Sequence, residues 1–462
     1  MKNLIEVFLL IAVTLASVSL SAQEQLTLKQ AQDYAVQNAY SVQSAQLDLK
    51  KVEEQIKETK AIGLPQINAN GSFQNFLDIP VQVIPDFISP AVFGTLLQTG
   101  VLPSDYPQPE ATFVEAQFGT EYTASLGITA SQLIYDGTFL IGLKAVRGVR
   151  ELTNVQLEKT EEEIKVQVAD AYHLCLAAEE NVKILQESSE ILEKTLSDTR
   201  ALYTNGFVEE QDVEQLELSM RSISNQIQYA RNQKTIAYEL LKFQMGISQS
   251  AEITLASDIE SLVNTAVSNG LSVAEFNIEN DIDYRIALNN KMLQELSVRG
   301  EKAAFQPSLS GFFNYQTSAQ RNEFNFFEGN QSWFPTTVWG LSLNVPIFSS
   351  GMRRSKVQQA KIESERADLF IKQAKEGAAL ELKSTRNEMI FAVDNYQTSL
   401  ESKDLAKRIF DKTQIKYNEG ISSSFELTQA KNQLLETQGF YVSAVLSLLN
   451  SANALNKALN NY

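Results

Sequence analysis

The chain has 462 residues, 44% of them hydrophobic and 21% charged, so it carries enough apolar surface for a large core. One Cys and one His rule out an intrachain disulfide framework and a Cys/His-rich metal cluster, and a net charge of −17 argues against nucleic acid as a partner. Such a surface or cavity attracts cations or repels anions.

Residues 1–22 read as a secretory signal peptide, with Lys2 as its basic start, an apolar run from Val7 to Leu20, and small residues closing it at Ala22. The alternative is a membrane anchor, for which the run is short. No Cys lies near the cleavage site to take a lipid, and no later stretch has 18 uninterrupted apolar residues. If the mature chain enters a membrane, it does so as strands.

Proline marks the next elements. Six of the ten prolines, from Pro80 to Pro109, crowd one region. None lies between Pro109 and Pro307, and none follows Pro346. Proline breaks helix interiors, so the two gaps leave room for very long helices, and both are rich in helix-forming Gln, Glu, Lys, Ala and Leu. Apolar and small residues recur there at alternating spacings of three and four. The seams are Ile164, Val168, Ala171, Cys175, Ala178, Val182, Leu185, and Ala378, Leu382, Thr385, Met389, Ala392, Tyr396. Two more run along Val213, Leu216, Met220, Ile223, Ile227, Ala230, and Leu427, Ala430, Leu434, Thr437, Tyr441, Ala444, Leu448. A sustained repeat of this kind is a coiled-coil seam.

The chain then proves to be a tandem duplication. Gly137 to Gly206 is 69 positions, and so is Gly351 to Gly420. YTNG at 203–206 and YNEG at 417–420 end the two long helical runs. SLGITASQLIYDG (125–137) matches VWGLSLNVPIFSSG (338–351) with one residue inserted, and GLPQINANGSF (63–73) is similar to FQPSLSGFFNY (305–315). The first repeat covers 23–248, with a helix about 27–61, strands about 66–76 and 120–134, a long helix about 138–203 and a hairpin helix about 208–245. A linker takes 249–280. The second repeat covers 281–462, with strands about 308–318 and 336–347, a long helix about 352–417 and a hairpin helix about 423–460.

The strands alternate. Ile67, Ala69, Gly71 and Phe73 oppose polar neighbours, as do Tyr122, Ala124, Leu126, Ile128 and Ala130 in the second strand. Leu309, Phe313 and Tyr315 follow in the third, with Phe312 out of pattern, and Trp339, Leu341, Leu343 and Val345 in the fourth. About ten residues suffice to cross a bilayer when tilted; the bland alternative is a half-buried soluble sheet. Each long run of 66 residues makes roughly 100 Å of helix, beyond any compact domain. Four strands cannot close a barrel, and open edges are costly in lipid, so membrane strands here require several copies. Two copies give eight strands and a filled interior; three give twelve and leave a lumen.

This duplicated plan, with LIYDG and PIFSSG closing the second and fourth strands and the two YxxG turns, resembles the TolC family of outer-membrane efflux proteins over essentially the whole mature chain. The resemblance implies a mainly α fold with membrane β: coiled-coil helices forming an α-barrel tunnel, and four strands per protomer contributing to a trimeric 12-stranded β-barrel. It implies the exit duct of a tripartite efflux or type I secretion system, extending from the outer membrane into the periplasm. The implied partners are a homotrimer, a periplasmic adaptor, an inner-membrane pump of RND or ABC type and outer-membrane lipid, with no cofactor.

By the same resemblance the YxxG turns are hairpin tips that meet the adaptor, which assigns Tyr203, Asn205, Gly206 and Phe207, with Tyr417, Glu419, Gly420 and Ile421, to adaptor contact. Tyr203 and Tyr417 are expected to pack the last helical turn, and the glycines to supply the left-handed backbone of a sharp reversal. Beyond the tips, Asp212 with Gln215 and Glu426 with Gln429 are candidates for a periplasmic constriction. The family's best-known member has two acidic positions in the second hairpin and a basic residue where Ser422 stands; this chain departs from that pattern, which argues against a salt-bridged lock. The competing reading of Asp212 and Glu426 is a carboxylate favoured at any helix start.

Phe324, Phe326, Phe327, Trp333 and Phe334 crowd the loop between the third and fourth strands, as interface anchors or, alternatively, a plug. The longer stretch 77–118 is read as an extracellular loop. No P-loop and no Ser/His/Asp arrangement is present, His173 reads as a packing or surface residue and Cys175 as a buried apolar one, so no enzymatic activity is expected. The alternatives are an exported coiled-coil fibre or adhesin, and a ligand-binding or enzymatic envelope protein. The paired amphipathic strands disfavour the first, and the missing site chemistry disfavours the second.

Overall fold

The computed structural model describes residues 25–108, 110, 112–270 and 276–461. The signal segment and residues 271–275 of the expected linker lie outside the described residues. In chain order the elements are β1 (Gln25–Leu26), α1 (Leu28–Asn38), α2 (Tyr40–Ala61), β2 (Gln66–Asn75), β3 (Val81–Pro85), α3 (Ile88–Gln98), β4 (Phe113–Gln117), β5 (Tyr122–Tyr135), α4 (Gly137–Thr204) and α5 (Glu210–Met245). They continue with β6 (Thr254–Leu255), α6 (Ile259–Gly270), a 3-10 turn at Ile278–Asn280, α7 (Ile282–Ala303), β7 (Ser308–Arg321), β8 (Phe334–Asn344), α8 (Met352–Asn418) and α9 (Ser424–Ala458). The chain divides into a helical unit, made of residues up to Glu54, Val146–Glu295 and those from Ala360 onward, and a sheet unit, made of Gln55–Ala145 and Leu296–Gln359.

In the helical unit the two long helices have 68 and 67 residues, and every seam residue named above is buried or half-buried. Four clusters fill this unit. The first joins Ala31, Ala35, Val42, Val168, Tyr172, Cys175, Leu241 and Met245. A second joins Val263, Met389, Ala392, Val445 and Leu448. The other two repeat each other near the tips. Leu192, Leu196, Val213 and Leu216 pack in the first hairpin, and Ala406, Phe410, Leu427 and Ala430, each 214 positions on, pack in the second.

The expected helix over 27–61 is broken at Ala39, whose backbone is extended. The break lies against the end of α5. Gly246 closes that helix with φ 72°, and a Cβ there would come within 2.3 Å of the Asn38 carbonyl oxygen. The expected linker holds structure of its own. β6 pairs in parallel with β1, and the Tyr172 hydroxyl donates to the Leu26 carbonyl at 2.8 Å and lies 2.9 Å from Ser257 Oγ. α6 buries Val263 and Ala266 in the second cluster.

The sheet unit holds four antiparallel strands in the order β2-β5-β7-β8, so β2 and β8 are its edges. The register joins the apolar positions across the sheet: Ala69 pairs with Ile128, Ile128 with Tyr315, Phe313 with Trp339 and Leu309 with Leu343. Phe312, the one residue out of pattern, stands opposite Gly340, where a Cβ would lie 2.8 Å from its ring. The glycine makes room for that ring on the polar face. The 77–118 stretch is not a bare loop: β3 and β4 pair as a ribbon around α3.

Candidate functional site

The sheet presents two chemically distinct faces. On one, Ser72 and Ser125 share a 2.8 Å hydrogen bond and Asn314 donates to Thr129 at 3.3 Å. On the other, Ile67, Leu126, Ile128, Trp339, Leu341 and Leu343 form a continuous apolar surface left exposed in the single chain, with Trp339 at 77%. An apolar face of this extent marks an interface with lipid or protein. Among the described residues, no helix is long and apolar enough to cross a membrane.

The loop aromatics gather at one end of this apolar face. Phe324 and Phe326 meet Phe73 edge to face at 5.6 and 5.8 Å, and Phe326 also contacts Trp333. Arg321 lies over the Phe326 ring and donates to the Ser332 carbonyl. That is the side expected of anchors; a plug needs the polar face.

The two tips close with equivalent backbone bonds. In the first, Gly206 N–H donates to Tyr203 O and Phe207 N–H to Leu202 O; in the second, Gly420 donates to Tyr417 O and Ile421 to Lys416 O. Both glycines have positive φ, 79° and 71°. Residues 209 and 423 then cap α5 and α9 through reciprocal boxes, with Asp212 and Glu426 each returning a bond to the cap backbone. The two carboxylates therefore do serve the helix starts. Phe207 and Ile421 project into solvent, as do Asn205 and Glu419.

The surroundings of the tips differ. Tyr417 is buried, at 8% exposure, and its hydroxyl lies 2.8 Å from that of the fully buried Thr199 on α4. Burial raises the Tyr417 pKa. Tyr203 does not pack as expected: it stays 43% exposed, because no second hairpin of this chain covers it. Asp212 and Gln215 are brought together by the Ser424 hydroxyl, which donates to Asp212 and lies 3.3 Å from Gln215 Oε1. Glu426 instead accepts from Ser422, and from the Ser423 backbone at 3.2 Å, which lowers its pKa. Gln429 is exposed, and Glu426 and Asp212 take different serine partners. Thr199, Ser424 and the buried Lys431, whose pKa burial pushes down to about 8, were not legible as tip residues. The seam pattern carried no signal for contacts between hairpins.

His173 and Cys175 are both buried on α4. Burial drives the thiol pKa up to about 12 and the imidazole pKa down to about 4, with His173 Nδ1 3.2 Å from Asn450 Oδ1. The folded chain thus holds His173 neutral, while an unfolded histidine takes a proton near pH 6.5. Its stabilising contribution is complete above pH 6.5 and is lost as pH falls toward 4, by about 2–3 kcal/mol. Denaturation midpoints at pH 7 and pH 4.5 check this: His173→Gln should lose less stability on acidification than the parent chain.

Comparison with known proteins agrees with this architecture. Residues 287–461 match the model of the family described as "Outer membrane efflux protein". The chain is 20% identical over 350 residues to the outer membrane protein TolC of Vibrio cholerae serotype O1, covering 72% of this chain and 77% of that one. Its fold is similar to that of CusC, at a TM-score of 0.68 and 15% identity over 96% of this chain and 95% of the other. It is equally similar to the Campylobacter jejuni CmeC outer membrane channel, at a TM-score of 0.66 and 17% identity over 94% and 85%. Its second repeat is matched by the family's own model, it is similar to TolC along most of its length, and it has the fold of the outer membrane channels.

Proposed function

We propose that three copies of this chain form the outer-membrane exit duct of a tripartite efflux or secretion machine. The observation that carries this reading is the four-stranded sheet, with one exposed apolar face, one polar face and two unpaired edges. Three such sheets joined β2 to β8 make twelve strands, remove every edge, turn the apolar face to lipid and enclose the polar one. The Ser, Thr, Asn and Gln of that inner face suit passage of diverse solutes driven by a partner.

The tips, with Phe207 and Ile421 outermost, are suited to docking an adaptor's apolar hairpins in the periplasm, the glycines setting the turn and Tyr203, Asn205, Tyr417 and Glu419 its flanks. In this reading Asp212, Gln215, Glu426 and Gln429 ring the tunnel mouth, where crowded carboxylates favour cations. The protein purified from outer membranes should run as a trimer on unheated gels and conduct in planar bilayers. Replacing Asp212 and Glu426 by Ala should raise conductance and weaken cation selectivity. A monomer in the periplasmic fraction would refute the duct, and unchanged currents the constriction.

A further inference from the structure

An apolar row interrupts the polar face of the sheet. The strand register sets every second residue on that face: Ser131 of β5 pairs with Phe312 of β7, Phe312 with Gly340 of β8, and Asn314 with Val338. Leu133, which pairs with Ser310, stands one step to one side of Phe312 on β5, and Val338 stands one step to the other side on β8. The three side chains form a diagonal across three adjacent strands, at a spacing that aromatic and long side chains can bridge. The Phe312 ring leans over Gly340, where a Cβ would lie 2.8 Å from it. It is nevertheless 40% exposed, and Val338 46%. Covering a glycine needs the ring alone and gives no reason for apolar neighbours on both sides. The rest of the wall is uncharged. β2, β5 and β8 carry no charged residue, and β7 has only the terminal Arg321, which lies over Phe326 among the loop aromatics.

We infer that Leu133, Phe312 and Val338 form a subsite inside the barrel for the aromatic or aliphatic part of a passing solute. The inference rests on the three-copy duct, which turns the polar face inward and repeats the row three times around the lumen. Ser, Thr, Asn and Gln offer a solute little that water does not, since hydrogen bonds to the wall replace hydrogen bonds to water. The uncharged wall has no point charge with which to hold or repel an ion. An exposed apolar row is different, because contact with it removes apolar surface of both partners from water. A ring face also attracts a cation that comes within about 6 Å of its centre. The row is therefore where the barrel discriminates between solutes. It retains cations that carry an aromatic group and lets hydrophilic ions of the same charge pass.

Single channels of the full-length protein in planar bilayers test this. The probes are benzyltriethylammonium and tetraethylammonium, which carry the same charge and differ by one aromatic ring. The first should block the parent channel at lower concentration than the second. Phe312→Ser should weaken the benzyltriethylammonium block by about twofold to fivefold, the worth of a cation over an exposed ring, and leave tetraethylammonium unaffected. Val338→Thr keeps the shape of the side chain, so assembly is preserved, and should shift the same block in the same direction. Phe313→Ser, at the next residue on the opposite face, should leave both blocks unchanged. Equal block of the parent channel by the two cations, or an unchanged or stronger benzyltriethylammonium block in both test variants, would overturn the subsite and leave the duct standing. So would a loss of block in Phe313→Ser equal to that in Phe312→Ser. A parent protein that forms no channels at all would overturn the duct itself.

Discussion

Leu126→Arg is expected to be exported but to fail to enter the outer membrane. Leu126 lies mid-strand on β5, paired with Gly71 on one side and Thr317 on the other, and is 58% exposed on the apolar face. A charge facing lipid at the bilayer midplane costs about 2–4 kcal/mol. The proposed three-copy duct incurs it three times, a sum comparable to the whole folding stability of a domain, about 5–15 kcal/mol. Gln316→Arg places the same side chain on the opposite face of the adjoining strand β7 and should insert normally. Fractionation and unheated gel mobility read both variants together. Equal membrane yields would contradict the assignment of the two faces.

Gly246→Ala should be the most damaging single-methyl change in the helical unit. The residue holds φ 72°, which alone costs an alanine about 1 kcal/mol. The added Cβ also meets backbone, 2.3 Å from Asn38 O and 2.9 Å from its carbonyl carbon, and backbone cannot swing aside as a side chain can. Loss of at least about 3 kcal/mol is expected. Gly206→Ala provides the comparison, with a similar φ of 79° and nothing within 4 Å. Its loss should be near 1 kcal/mol. Unfolding rates followed by far-UV circular dichroism compare the two variants without requiring reversible refolding. Similar rates for the two variants would show that the contact with α1 is slack.

Much of this architecture was legible because it is repetitive. The long helices were betrayed by proline-free length and an unbroken three-four seam, and the strands by alternation across the pleat. The internal repeat removed ambiguity that either half alone would have left. What escaped has local reasons. Prolines in 77–118 suggested loop, yet Pro85 closes β3 in a two-stranded ribbon and Pro90 sits in the first turn of α3, where proline is tolerated. Within the stretch read as a linker, α6 is only 12 residues long and carries Ser, Asn and Thr among its apolar positions, which resembles turn composition. The break at Ala39 has no proline or glycine to announce it. It is set by the neighbouring helix end, a tertiary effect absent from local pattern. The same holds for the tips: Tyr203 and Tyr417 are equivalent in sequence and unequal in burial, since burial depends on which hairpin lies next door.

The unpaired flanks of β2 and β8 carry a consequence for biogenesis. A lone chain in transit displays two rows of free amide and carbonyl groups, each ready to zip onto any extended segment it encounters. In the proposed three-copy duct closure needs three chains to meet, so its rate climbs steeply with local concentration, whereas capture by a foreign strand needs only one collision. Dilute synthesis therefore favours loss to aggregates or proteases, and clustering at the site of insertion favours completed cylinders.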